Sequence, residues 1–127
     1  LPPGVRVVIP TTTVSARPAT SVAVATTPTE VIPPGPSTAD AEAIIRAIWP
    51  DDLEDRAVEI AIRESRLQAN VHNWCCVGLF QIHWGAHKSW LASIGVTTKS
   101  QLYDAETNAR AALKLYERAG GWGPWAL

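Results

Sequence analysis

Between Asp51 and Leu67 the apolar residues recur with the period of an α-helix, and one carboxylate stands among them. At roughly 100° per residue, Leu53, Ala57, Ile60 and Leu67 fall along one stripe, and Glu64 projects from its middle. Asp55, Arg56, Glu59, Arg63 and Arg66 gather on the far side, so the helix has an ordinary solvated face that does not include Glu64. A carboxyl group held among apolar neighbours loses hydration of its charged form, and a proton donor working near neutral pH needs that condition. The plainer alternative is a glutamate at the core margin, with its stem buried and its head in water.

The segment after this helix bears on the choice. A polar loop leads into Gly78-Leu79-Phe80-Gln81-Ile82, an apolar run with one amide inside it. Asn70, His72, Asn73, Trp74 and Gln81 cluster just downstream of the acid. Uncharged hydrogen-bonding groups and aromatic rings of this kind suit sugars, which offer hydroxyls in the ring plane and C–H bonds above it. Glu64-Ser65-Arg66-Leu67 followed by Gly-Leu-Phe-Gln-Ile resembles the lysozyme-like superfamily, and within it the soluble lytic transglycosylase domain most closely. Asp104 to Tyr116 resembles a second stretch of that family, in which an Asp-Pro-x-x-Asn turn opens a helix packed behind the acid-bearing one. Here Ala105 replaces the proline and Asn108 matches the asparagine. The family's usual Ala-Tyr-Asn-Ala-Gly segment is absent. The Gly121-Trp122-Gly123-Pro124-Trp125 ending looks more like actinobacterial and phage lysozyme-like domains, with Trp122 or Tyr116 as candidates for the missing tyrosine.

The resemblance implies an enzyme that cleaves the β-1,4 bond between N-acetylmuramic acid and N-acetylglucosamine in peptidoglycan. Glycoside cleavage normally employs two carboxylates, with lysozyme as the type case. Between Ser65 and Tyr103 there is no Asp or Glu, and Asp104 has a capping position, so the pattern favours chemistry by a single acid, Glu64. A lytic transglycosylase outcome is expected, with a lysozyme-type hydrolase or an inactive glycan-binding module as alternatives. Gln81 is the first candidate for a substrate contact. Ser65, Asn73, His83, Trp84, Tyr116 and Trp122 come after it, with Ser65 better placed to orient the helix end than to touch sugar.

The cysteines are adjacent, Cys75 and Cys76, so no long-range staple joins them. Two thiols, a bond to another chain and a ring closed between neighbours all stay open. Cys75, Cys76, His83 and His87 also form a rival set of zinc donors, but paired zinc cysteines usually stand two to four residues apart. No metal and no cofactor is expected. With 11 basic and 12 acidic residues and no long run of one sign, nothing argues for nucleic acid or an anionic membrane surface. No apolar run approaches the length of a membrane span.

The fold expected is all-α and lysozyme-like, about five helices, behind an extended and largely unstructured N-terminal tail. Residues 1–36 hold eight of the ten prolines and no aromatic residue, which reads as a Pro/Thr-rich linker. Its threonines are candidates for O-glycosylation, and Val5 to Ile9 alternates as a strand added to a partner protein would. With no initiating Met and no signal peptide, the chain reads as a piece of something longer, working outside the cytoplasm or in a phage particle.

Residues 37–127 are expected to form the lysozyme-like catalytic domain that the resemblance implies. Ser37 and Asp40 cap a helix with the stripe Ala41, Ile44, Ile45, Ile48, stopped by Pro50. Asp51 and Glu54 repeat the capping pattern for the Glu64 helix, which runs to about Leu67. Asn70 to Val77 is loop, and Leu79 to Ile82 a short extended or irregular piece. A helix is expected over His83 to Ser93, then a helical turn over Thr97 to Leu102. The last helix, Ala105 to Arg118, is capped by Asp104 and closed by Gly120, with Ala105, Ala109, Ala112, Leu113 and Tyr116 inward.

Overall fold

The computed structural model describes residues 32–126. The Val5–Ile9 strand and most of the Pro/Thr-rich segment lie outside the described residues. Helix α1 spans Thr38–Ile48, and the Ser37 hydroxyl accepts the Asp40 N–H at 3.1 Å, as the sequence pattern predicts. Ala41 and Ile45 are fully buried, with Ile44 and Ile48 half-buried beside them. Helix α2 spans Glu54–Ser65. Two two-residue strands, β1 (Cys76–Val77) and β2 (Ile82–His83), pair antiparallel, with Cys76 opposite His83 and Val77 opposite Ile82. Helix α3 (Trp84–Leu91) runs into a 3-10 turn at Ala92–Ile94, and a second 3-10 turn covers Lys99–Tyr103. Helix α4 (Ala105–Ala119) and a 3-10 turn at Gly123–Trp125 complete a mostly helical body.

Three local expectations change. Helix α2 has no side-chain cap at its start: Asp51 does not take that role, and the N-cap position is Leu53. The Leu53 and Glu54 N–H groups instead donate to Pro50 O, and Glu54 and Asp55 place negative charge in the first turn. Arg46 of α1 ties that turn down by pairing with both Glu54 and Asp55. At its other end α2 stops at Ser65 rather than Leu67, because Arg66 and Leu67 both turn into the left-handed region, at φ 56° and 62°. Its buried face comprises Ala57, Val58, Ile60, Ala61 and Ser65, which moves Glu64 from the middle of the apolar stripe to its edge. In α4 the inward set is Ala105, Asn108, Ala109, Ala111, Ala112 and Leu115, with Leu113 only half-buried.

Helix α4 packs on α1, and α1 on α2. The core between them ends in an aromatic group: Phe80 stacks on Trp49 with centroids 5.6 Å apart, and Trp49 stacks on Trp122 at 5.4 Å. Trp125 meets the edge of Phe80 and donates its indole N–H to Phe80 O at 3.0 Å. This group fastens the turn between β1 and β2 to the last turn of the described chain.

Candidate active site

Glu64 lies in the last turn of α2, and what surrounds it is set by how the β1–β2 turn docks there. The turn Gly78–Gln81 closes with Gln81 N–H donating to Gly78 O at 3.1 Å. Asn108, wholly buried in α4, clamps it: its amide donates to Val77 O at 2.8 Å and Leu102 O at 2.9 Å, and its carbonyl accepts Phe80 N–H at 2.9 Å. An amide buried this completely is tolerable only because its hydrogen bonds are made. From α2, the buried Ser65 hydroxyl donates to Leu79 O at 2.8 Å and also lies 3.0 Å from Ala61 O. Residues adjacent to the acid in sequence and residues far from it are thus locked together, which puts Gln81 and Glu64 on the wall of the same two cavities.

Two cavities, of about 470 and 450 Å³, meet at this point. Both are lined by Arg63, Glu64, Asn73 and Gln81. One continues over Cys75, Cys76, His83, His87, Leu115, Pro124 and Trp125; the other over Ser65, Arg66, Gln68, Val71 and His72. Glu64 therefore belongs to both cavities, which share one wall around it. Glu64 is the one carboxylate among the lining residues.

The side chain of Glu64 is 27% exposed, so it sits at the margin of the core rather than in it. Arg63, expected on the solvated face, bends back over it instead. Its Nη2 lies 3.0 Å and its Nε 3.3 Å from Glu64 Oε2, and Nη2 also donates to Trp125 O. The acid is thereby tied to the C-terminal turn through one guanidinium.

The remaining sequence candidates separate into two groups. Gln81 uses its amide N–H groups on Gly78 O (2.8 Å) and Val71 O (3.3 Å), which leaves its carbonyl oxygen for the groove. Its backbone is left-handed, at φ 51°. Asn73 accepts the N–H groups of Cys75 and Cys76, both at 3.0 Å, and lines both cavities. His83 accepts the Ala86 N–H on Nδ1, which caps α3 and puts its neutral-form proton on Nε2. By contrast, Trp84, Tyr116 and Trp122 do not line either cavity. Tyr116 and Trp122 pack on each other and on Trp49, and Trp84 packs against the core. Ser65 does not reach the groove as a free hydroxyl, since its proton is engaged on the main chain.

Several wall residues escaped the sequence pattern. Cys75 and Cys76 are joined to each other in a disulfide that lines the groove. That bond removes both thiolates, so the zinc set with His83 and His87 loses half its donors. Among the described residues no group of three or more histidine, cysteine or acidic side chains is arranged to hold a metal. His87 accepts the Trp90 indole N–H on Nδ1 at 3.0 Å, and the Arg118 guanidinium lies over the Trp90 ring, 4.9 Å from its centroid.

Burial, with like-charge repulsion from His83 and Arg118, holds the His87 imidazole below the ordinary histidine range. The unfolded chain therefore binds this proton first as pH falls through about 6.5, and stability drops from there until the folded value is reached. His87→Asn keeps an acceptor for Trp90 and removes the titration. Its melting temperature is expected to fall less than the parent's between pH 7.5 and pH 5; parallel profiles would count against the burial of His87.

A family model described as a lysozyme-like domain matches residues 47–127. No curated protein and no solved structure matches the chain.

Proposed function

Because this chain belongs to the lysozyme-like domain family, whose members are peptidoglycan-related glycosidases and transglycosylases, we propose that it cleaves the glycan strand of peptidoglycan between N-acetylmuramic acid and N-acetylglucosamine, with Glu64 as its only proton donor. The observation that supports the reading is a pair of adjoining cavities that share Glu64 as the one carboxylate among their described lining residues. With no second carboxylate among the described residues that line the cavities, two-carboxylate chemistry lacks a participant there.

In the reaction, Glu64 gives its proton to the bridging oxygen as the bond to the anomeric carbon breaks. The substrate's own N-acetyl oxygen supports the positive charge left behind. The Glu64 carboxylate then takes the proton of the 6-hydroxyl as that oxygen bonds to the anomeric carbon, which closes a 1,6-anhydro ring and restores the acid. The Gln81 carbonyl is free to accept from a sugar hydroxyl or amide N–H, and the Asn73 amide N–H groups and His83 Nε2–H are donors on the same wall. Such groups, set in place before substrate arrives, select geometry without reorganising.

The substrate assigns the site of action to the outside of the cytoplasmic membrane or to a phage particle. Among the described residues no helix is long and apolar enough to cross a membrane. Mass spectrometry of digested sacculi tests the reading: anhydro-muropeptides are expected. Products with reducing ends would make the same residue serve a hydrolase, and the absence of released muropeptides would overturn the assignment.

A further inference from the structure

Trp74 is 90% exposed; among the described residues the other exposed large hydrophobic side chains are Ile62 at 49% and Ile94 at 38%. An indole left almost wholly in water forgoes one of the largest burial gains a side chain offers. Its position is not casual. Asn73 before it and Cys75 after it both line the groove, and its ring meets the edge of His83, another wall residue, at 6.0 Å and 87°.

The loop that presents it is held from several sides. The Asn73 carbonyl accepts two successive N–H groups, the Asn73 N–H donates to Cys76 O at 2.9 Å, and the Trp84 N–H donates to Cys75 O at 3.3 Å. The Cys75–Cys76 disulfide and the start of β1 complete the restraint. A fixed and solvated aromatic ring at the lip of a groove binds without first having to be ordered.

We propose that Trp74 is a stacking platform for a sugar ring of the strand, at the rim on the Cys75 and His83 side and outside the lining that Glu64, Asn73 and Gln81 share. The identity of the ligand rests on the peptidoglycan reading above; the existence of the platform does not rest on catalysis. The C–H face of a pyranose matches the indole face, and the hydrogen-bonding groups of its neighbours Asn73 and His83 suit its hydroxyls. A membrane surface fits poorly, because the adjacent residues include no basic cluster and no apolar helix face.

The test uses the full chain carrying Glu64→Gln, so that binding is read without turnover. Affinity for a soluble N-acetylglucosamine hexamer and for the dimer is measured by calorimetry, with and without Trp74→Ala. Trp74→Ala is expected to weaken hexamer binding about 3- to 10-fold and to leave the dimer nearly unaffected, with Trp74→Phe keeping most of the affinity. Equal hexamer affinity, or an equal loss for both lengths, would overturn the platform. If the parent protein releases no muropeptides yet the hexamer difference persists, the cleavage reading falls and the platform stands. If the parent cleaves and the hexamer difference is missing, the platform alone falls. Unchanged melting temperatures separate either result from misfolding.

Discussion

Glu64→Gln yields a folded protein that still retains glycan and releases muropeptides at least about 10³-fold more slowly. The substitution keeps the shape of the side chain and an oxygen for Arg63, and removes only the transferable proton. The size of the effect comes from the lining of the groove, where no second carboxylate stands ready to take over. Stability should change by less than about 1 kcal/mol, because the ion pair with Arg63 is partly exposed and weakly stabilising. Turnover on sacculi, measured with a melting curve on the same sample, checks both halves. Turnover near the parent rate would mean that Glu64 donates no proton.

Gly78→Ala is expected to have the largest effect on the fold itself. A Cβ at this position would lie 2.3 Å from Asn108 Nδ2 and 2.4 Å from Leu102 O, and the backbone sits at φ +80°. The neighbours cannot give way cheaply, because the asparagine is buried and already engaged in three hydrogen bonds, one of them to that carbonyl. Strain of the left-handed backbone, overpacking and a broken buried network combine to about 3–5 kcal/mol, a large share of what a small domain has. Gly95→Ala is the control: φ is +88°, yet nothing lies within 4 Å of the added carbon. It should lose only the backbone contribution, about 1–2 kcal/mol. Urea titration of both variants gives the comparison, and equal losses would show that the Asn108 clamp has no special weight.

The parts of the fold that could be read from sequence are those decided within a turn or two of chain. Ser37, Asp104 and Gly120 cap their helices through contacts three or four residues away, so their residue types announce them. The stripe of α1 comes from spacing alone; spacing also singles out Glu64, although the structure sets it at the edge of its stripe rather than within it. What escaped depends on distant partners. The early end of α2 reflects two left-handed residues that no local preference favours, next to a Ser65 hydroxyl held by Leu79 O, 14 residues on.

Arg63 looks like a surface cation until Trp125 O, 62 residues away, is brought beside it. Asn108 did carry a signal, an amide within the small-residue face of α4, but its three partners come from two separate segments. Adjacent cysteines carry no mark of their oxidation state. The aromatic residues resist sorting by sequence, since Trp122, Trp125 and Trp74 differ in role and not in type. Trp122 is packing, Trp125 is packing and wall together, and Trp74 is neither buried nor paired face to face.

The oxygen that receives Arg63 belongs to the main chain at position 125, not to the tryptophan side chain. Every amino acid carries that acceptor, so exchanging the residue there alters the filling around Phe80 without deleting the tether. Only a change in the route of the backbone, such as an inserted residue between Gly121 and Trp125, would carry the carbonyl out of reach. The acid's partner is thus secured by the course of the chain and is largely indifferent to which side chain it bears.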